Sequence, residues 1–228
     1  MNILITGTSS GLGKALASHF HKAGANVYGL SRSHSNLDIS QEICDFVNLE
    51  SITKALNTLT KGVSVFDYVF LNAGVLGRLD TTTNISIYEY TEVFNINVWS
   101  NKIILDNLLT RCRISNVIGI SSGASLKTYL GWSLYCTSKA AFKQLLSSYG
   151  DESTTTNFVS LAPGLIKSKM QKEIQGYDVK EFPSLQKFHD AYDFMKSPDT
   201  VANNIINNLS TICKHNNEYI DLRDIINE

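Results

Sequence analysis

Short apolar runs alternate with longer segments of helical periodicity along this chain of 228 residues. The apolar runs are rich in β-branched residues, which is typical of buried strands. They predict strands at 3–5, 26–30, 68–71, 117–120, 158–162 and 219–222. Helical spacing predicts helices at 12–23, 51–59, 87–111 and 135–149, and after Ser197. This alternation predicts an α/β protein with a doubly wound parallel sheet of seven strands, in one domain.

Charge and composition give no support for binding to nucleic acid, to a membrane or to a metal. The formal net charge of −1 offers no electrostatic attraction to nucleic acid or to an anionic membrane. The four cysteines form no C-x-x-C pair and the five histidines have no metal-ligand spacing, so we expect free thiols, no metal and a cytoplasmic protein. The first strand follows Met1 almost at once, and no apolar run approaches membrane length. We therefore expect neither a signal peptide nor a membrane span.

The first strand leads into a turn rich in glycine and serine, and a helix follows it. Glycines let the backbone approach a pyrophosphate, and a helix N-terminus supplies amide donors and the positive end of a dipole. Strand, turn and helix together are the context that a dinucleotide-binding turn requires. The turn residues predicted to bind the cofactor are Gly7, Ser9, Ser10, Gly11, Leu12 and Gly13.

Tyr135 and Lys139 lie four residues apart, downstream of the strand that ends near Ser122. A helix would place this phenol and this ammonium on the same face, one turn apart. A neighbouring cation favours phenolate, so we expect Lys139 to lower the pKa of Tyr135 from its ordinary value of about 10. A phenol tuned in this way can exchange a proton with a carbonyl or an alcohol. A surface pair at helical spacing is the alternative interpretation.

Four motifs together resemble the short-chain dehydrogenase/reductase family over nearly the whole chain. They are Thr6-Gly7-x-x-x-Gly11-x-Gly13, Asn72-Ala73-Gly74, Ser122 and Tyr135-x-x-x-Lys139. The resemblance implies a Rossmann-like fold and an oxidoreductase that interconverts a carbonyl and an alcohol on a small molecule. Tyr135 would be the general acid or base, Ser122 would position the substrate oxygen, and Lys139 would also bind the nicotinamide ribose. A sugar epimerase or dehydratase and a non-catalytic NADP(H)-sensing regulator are the alternatives.

The resemblance assigns further residues. Asn97 resembles the helix asparagine that completes the family's catalytic tetrad and holds a proton-relaying water, with a capping or solvated asparagine as the alternative. Asp45 would contact the adenine, and Asp38 competes for this role because only twelve residues separate Arg32 from Asp45. That connection is too short for the family's usual helix. The other implied cofactor contacts are Asn72, Ala73, Gly74, Pro163, Gly164 and Ser168.

Arg32 bears on the choice of cofactor. It follows the second strand, where an acid binds the ribose of NAD and an arginine accommodates the 2′-phosphate of NADP. No acid precedes Asp38 in this connection. The sequence therefore predicts NADP(H), with NAD(H) as the alternative cofactor and a solvated loop residue as the alternative role of Arg32.

Two segments bear on the substrate. Residues 165–196 resemble the family's variable substrate-covering segment, and we expect a lid with local helices, with an ordinary surface excursion as the alternative. Four residues between Ser122 and Tyr135 predict an apolar-lined substrate pocket: Leu126, Tyr129, Leu130 and Trp132.

An apolar stripe bears on assembly. It comprises Phe142, Leu145, Leu146 and Tyr149. Together with the helices of 87–111, it resembles the pair through which family members dimerise, so a homodimer or homotetramer is expected. A stripe that faces only the sheet would leave a monomer.

Overall fold

The computed structural model describes residues 1–227. Its seven strands form one parallel sheet in the order β3-β2-β1-β4-β5-β6-β7. They are β1 (Asn2–Thr6), β2 (Asn26–Ser31), β3 (Ser40–Ile43), β4 (Val65–Leu71), β5 (Arg113–Ile120), β6 (Asn157–Ala162) and β7 (Glu218–Asp221). The predicted seven-stranded parallel sheet is confirmed.

Helices cover both faces of this sheet. They are α1 (Gly11–Lys22), α2 (Leu49–Leu59), α3 (Ile87–Phe94), α4 (Ser100–Leu109), α5 (Ser133–Glu152), α6 (Lys169–Gln175), α7 (Gln186–Ala191), α8 (Pro198–Asn207), α9 (Leu209–Ile212) and α10 (Leu222–Ile225). A π-helical turn at Asn95–Trp99 joins α3 to α4, so the predicted region 87–111 consists of two helices.

Two apolar clusters hold these layers together, one on each face of the sheet. On one face, α1, α8 and α9 pack on the central strands through residues such as Leu16, Phe20 and Ile205. On the other face, α2, α4 and α5 pack on them through residues such as Leu56 and Leu105. Because both faces are covered, the central strands β1 and β4 carry runs of buried apolar residues on both sides, as in Ile3, Leu4 and Ile5 of β1.

The β2–β3 connection has the predicted short form. Residues 32–39 contain no helix, and β3 ends at Ile43, two residues before Asp45. Segment 165–196 contains α6, α7 and short 3₁₀ turns, which confirms the expectation of local helices. Within residues 1–227, no helix combines the length and the apolar character needed to cross a bilayer.

The apolar stripe of α5 packs largely within its own chain. Phe142 and Leu146 are buried in the cluster against the sheet, and Tyr149 stacks on Phe158 of β6 with ring centroids 5.8 Å apart. The Tyr149 hydroxyl also donates a hydrogen bond to Asp106 of α4. The stripe therefore serves the core, and a homodimer or homotetramer stays a prediction.

The strand order reverses direction between β1 and β4. From β1 the chain first adds β2 and β3 on one side, and then crosses to β4 on the other side. Parallel sheets of this type bind ligands outside the carboxyl ends of the strands at such a point. The ends of β1, β4, β5 and β6 therefore mark the place to look for a site.

Candidate active site

A cleft of about 790 Å³ runs across the carboxyl ends of the strands. It brings together most of the residues predicted from the sequence, although they come from seven separate parts of the chain. The predicted residues on its wall are Gly7, Ser9, Ser10, Gly11, Leu12, Arg32, Asp45, Asn72, Ala73, Gly74, Ser122, Tyr135, Lys139, Pro163, Gly164 and Ser168.

The turn between β1 and α1 has the geometry that an anion requires. Gly7 has φ +80°, which a residue with a side chain rarely adopts, and its N–H donates to Leu30 O at 2.8 Å. Ser10, the N-cap of α1, makes no side-chain capping bond, and the first turn of α1 holds no acid. The first amides of α1 therefore remain available for a ligand phosphate.

Gly13 is not among the residues of the cleft wall, and its contact with a cofactor stays a prediction. A Cβ at Gly13 would overlap both the Gly7 carbonyl oxygen and Nδ2 of Asn72. That Nδ2 donates to Thr6 O at 2.9 Å, and Thr6 Oγ1 accepts from the backbone N–H of Asn72 at 2.9 Å. Gly13 is therefore needed for close packing of α1 on the ends of β1 and β4.

The two acids that compete for the adenine contact, Asp45 and Asp38, differ in their position relative to the cleft. Asp45 lies on the cleft wall, and Asp38 does not. The Asp45 carboxylate accepts a hydrogen bond from Val47 N at 3.1 Å, which orients the loop after β3. Arg32 is exposed beside it on the same wall. The short β2–β3 connection thus still brings Arg32 and Asp45 to one edge of the cleft.

Tyr135 lies in the first turn of α5 and is buried, with 8% of its surface exposed. Burial raises its pKa to about 12, and a hydrogen bond with the Ser122 hydroxyl opposes this rise. The prediction that Lys139 lowers the pKa of Tyr135 is therefore wrong for the protein alone. Lys139 Nζ lies 5.7 Å from the centroid of the Tyr135 ring, and the cost of burying the phenolate dominates.

Lys139 is held by the backbone of β5. Its Nζ donates to Ile120 O at 2.8 Å, and the side chain is buried beside Tyr135 and Phe142. Burial lowers the pKa of Lys139 to about 8, because no carboxylate within residues 1–227 forms an ion pair with it. The ammonium is thus within about one pH unit of losing its proton at neutral pH.

Asn97 also lies off the cleft wall, in the π-helical turn between α3 and α4. Its side chain accepts from Val75 N and donates to Val75 O, both at 2.9 Å, and it donates to Ser138 Oγ at 2.9 Å. Ser138 Oγ in turn donates to Tyr135 O at 2.9 Å. The capping or solvated alternative is excluded, because the buried amide joins the loop after β4 to the turn of α5 that carries Tyr135.

An aromatic wall, formed by Tyr129, Trp132 and Phe188, lies next to the Tyr135 phenol. Trp132 stacks on Phe188 with centroids 5.0 Å apart, and it meets Tyr135 edge-on at 5.9 Å. The ring centroid of Tyr129 lies 5.4 Å from that of Trp132 and 5.9 Å from that of Phe188. Leu126 lies on the cleft wall as predicted, whereas Leu130 does not, and both side chains are more than half exposed.

The sequence pattern did not reveal the contribution of β7. Tyr219, Asp221 and Arg223 line the cleft, and the Arg223 guanidinium donates to the Asp221 carboxylate at 2.9 and 2.6 Å. The Arg223 stem lies 3.6 Å from the position that a Cβ on Gly164 would occupy. A signal was present, because these residues stand at the carboxyl end of the last predicted strand, the edge where parallel sheets bind ligands.

Comparisons with known proteins agree with this geometry. The family model described as short chain dehydrogenase matches residues 1–177. The chain is 28% identical over 221 residues to a benzil reductase ((S)-benzoin forming) from Bacillus subtilis (strain 168), covering 89% of this chain and 90% of that protein.

Solved structures share the fold. A short chain dehydrogenases/reductase from Saccharomyces cerevisiae aligns with a TM-score of 0.85 at 21% identity, covering 98% of this chain and 96% of that one. A short chain dehydrogenase from Escherichia coli CFT073, solved in complex with NADPH, aligns with a TM-score of 0.79 at 19% identity, covering 97% and 96% of the two chains.

The fold and the cleft define an oxidoreductase of the Rossmann type. The match over residues 1–177 shows that the chain belongs to the short-chain dehydrogenase/reductase family. Enzymes of this family act on small molecules with a nicotinamide dinucleotide, NAD(P)(H), which carries the hydride while the protein supplies binding and orientation.

Proposed function

We propose that this protein is an NADP(H)-dependent reductase that interconverts a carbonyl and an alcohol on a small molecule. The observation that carries the proposal is one continuous cleft with Ser122, Tyr135 and Lys139 at one end and the glycine turn and Arg32 at the other. A cofactor lying along this cleft would bring its nicotinamide to the phenol.

Tyr135 is the proposed general acid. With a pKa of about 12, the phenol is protonated near neutral pH and has a proton to give to a carbonyl oxygen. The Ser122 hydroxyl, which bonds to this phenol in the free protein, is placed to donate to the same substrate oxygen and polarise it. Bound NADPH would supply the hydride that reduces the carbonyl carbon.

Lys139 has two proposed tasks. Its ammonium, buried beside Tyr135, stabilises the phenolate that remains once the proton has left, and it also binds the nicotinamide ribose. Asn97 is proposed as a positioning residue, because its side-chain nitrogen donates both hydrogens, one to Val75 O and one to Ser138 Oγ, which in turn bonds to Tyr135 O. The proton-relaying water predicted at Asn97 would then meet its backbone and not its side chain.

The residues present fit a phosphorylated dinucleotide. The free amides at the start of α1 suit the pyrophosphate, and Arg32 has no ion-pair partner within residues 1–227 that would compete with a 2′-phosphate. Asp45 is proposed to contact the adenine. Asn72, Ala73 and Gly74 would pass beside the cofactor, and Pro163, Gly164 and Ser168 would contact its nicotinamide end.

The aromatic wall favours an aromatic or otherwise flat carbonyl compound. Tyr129, Trp132 and Phe188 offer ring faces and edges directly beyond the phenol, which suits stacking of a substrate ring. Benzil, the compound after which the Bacillus subtilis relative is named, is an aromatic 1,2-diketone. A compound of this shape would place one carbonyl at Tyr135 and a ring on the wall.

The proposal is tested by NADPH oxidation with aromatic ketones and diketones, using the wild type and Tyr135→Phe. The variant keeps the ring and loses the acidic proton, so it should fold and bind NADPH while kcat falls by about 10²–10⁴-fold. Tyr88→Phe, on an exposed tyrosine of α3 outside the cleft, is the matched control and should keep full activity. Near-normal turnover by Tyr135→Phe would refute the mechanism.

A further inference from the structure

Lys187 stands at the far end of the aromatic wall, on helix α7. Its Nζ lies 4.0 Å from the ring centroid of Tyr129 and 4.9 Å from that of Phe188. The residue also lines the cleft, so the ammonium and the two rings face the space that a substrate would occupy. The cleft therefore has a phenol at one end of the aromatic wall and a cation at the other.

The ammonium of Lys187 has no anionic partner among residues 1–227. None of the ion pairs and side-chain hydrogen bonds formed by residues 1–227 includes Lys187 Nζ. Partial burial lowers the pKa of Lys187, because the rings displace water while no carboxylate compensates. By contrast, Arg223 on the same cleft is held by Asp221. Lys187 is thus the cation of this wall that remains free to pair with a ligand.

The charges around the cleft also favour an anionic ligand. Its lining includes six lysines and arginines but only three acids, all aspartates, although the whole chain has a formal net charge of −1. Lys127 and Lys169 also line the cleft without an ion pair among residues 1–227. Within that range, however, Lys187 is the lysine whose Nζ lies over the rings of Tyr129 and Phe188. A ligand at this wall would meet positive potential, which attracts anions into a cleft.

We propose that Lys187 recognises a carboxylate of the substrate, so that the site takes an aromatic carbonyl acid in which the ring separates the carbonyl from the carboxylate, as in a 4-acylbenzoate. This inference rests on the proposed carbonyl reduction. The substrate ring stacks on the aromatic wall, its carbonyl lies at Tyr135, and its carboxylate forms a charge-assisted contact with Lys187.

The reaction is balanced without any further reactant. The carbonyl carbon accepts a hydride from NADPH, and the carbonyl oxygen accepts the Tyr135 proton, which solvent replaces. The products would be the corresponding aromatic hydroxy acid and NADP⁺, and the carboxylate would be unchanged. Lys187 takes part in binding only, and it determines which carbonyl compound is selected.

The test compares 4-acetylbenzoate with its methyl ester, because the two share the ring and the ketone and differ in charge. The kcat/KM of each is measured with NADPH for the wild type, Lys187→Met and Lys187→Gln. We expect the wild type to prefer the acid, and both variants to lose about tenfold of this preference through KM, as for one charge-assisted contact near solvent. The preference of the wild type should also decrease as salt is raised.

Lys180→Met is the matched control, since Lys180 is an exposed lysine of the same segment that does not line the cleft. It should keep the acid-over-ester preference of the wild type. An ester that is used as well as the acid, or a Lys187→Met variant with the wild-type preference, would overturn the inference and leave carbonyl reduction intact. No NADPH oxidation with either compound would overturn both.

Discussion

The two ends of the cleft are built in different ways. The cofactor end consists of short local stretches, each directly after a strand: a turn that follows β1, an arginine that follows β2 and a tripeptide that follows β4. The substrate end is assembled from distant segments, with Tyr129 and Trp132 before α5, Phe188 on α7 and Tyr219 on β7. The family model stops at residue 177, before Phe188 and Tyr219 of this second set.

This difference explains which part of the site a sequence motif can describe. Phosphate binding uses backbone amides and closely packed glycines, which a few adjacent residues specify. Substrate binding uses side chains that meet only because helices α6 and α7 fold back over the strand ends. The substrate end also has its own small apolar cluster, which includes Ile174, Phe182 and Leu185.

A substitution at Gly13 is expected to have the largest effect on the cofactor end of the cleft. Replacing Gly13 by alanine would push a Cβ into the Gly7 carbonyl and the Asn72 amide, separating α1 from the strand ends. We expect a loss of about 1–3 kcal/mol in the free energy of unfolding, as for other overpacked sites, together with weaker NADPH binding. Urea unfolding and cofactor titration measure the two effects.

Gly123→Ala is the control for this substitution, because a Cβ there meets no atom within 4 Å. It should unfold at nearly the wild-type urea concentration. If Gly13→Ala were equally stable and bound NADPH normally, the close packing of α1 would not be a requirement of the cofactor end.

A substitution at Arg32 is expected to have a smaller effect on the cofactor end, limited to the preference between NADPH and NADH. One charge-assisted contact near solvent is worth about tenfold in affinity, so the wild type should prefer NADPH to NADH by roughly this factor in kcat/KM. Arg32→Asp should reverse the preference, because an acid repels the 2′-phosphate and accepts from the ribose hydroxyls of NADH.

Arg113→Asp makes the same charge change at the start of β5, at the edge of the sheet opposite the cleft, and should leave the preference unaltered. Equal use of NADH and NADPH by the wild type would show that Arg32 is only a solvated loop residue.

The smallest expected effect concerns the mobility of segment 165–196. Helices α6 and α7 have seven and six residues, too few to be stable without tertiary contacts. Their amides should exchange with deuterium at least about tenfold faster than those of β5 in the free protein, and NADPH should slow them. Exchange as slow in α6 and α7 as in β5 before any ligand is added would argue against a lid.

The residues of the fold and of the cofactor end were predictable because their signals are local. Alternating strands and helices determine a doubly wound parallel sheet, and the turn after β1 can be recognised from its glycines and the helix behind it. Arg32 and Asp45 could be chosen for the cleft edge from their positions after β2 and β3, although only the structure excluded Asp38 from it.

Other properties depended on the tertiary structure. The spacing of Tyr135 and Lys139 correctly placed both on one face of α5, yet burial raises the pKa of the phenol where the cation alone would lower it. The sequence likewise could not show that Gly13 and Asn97 lie behind the cleft wall, or that Lys187 meets Tyr129. Spacing along a chain determines which side chains share a local element, whereas desolvation and contacts between distant elements exist only once the chain is packed.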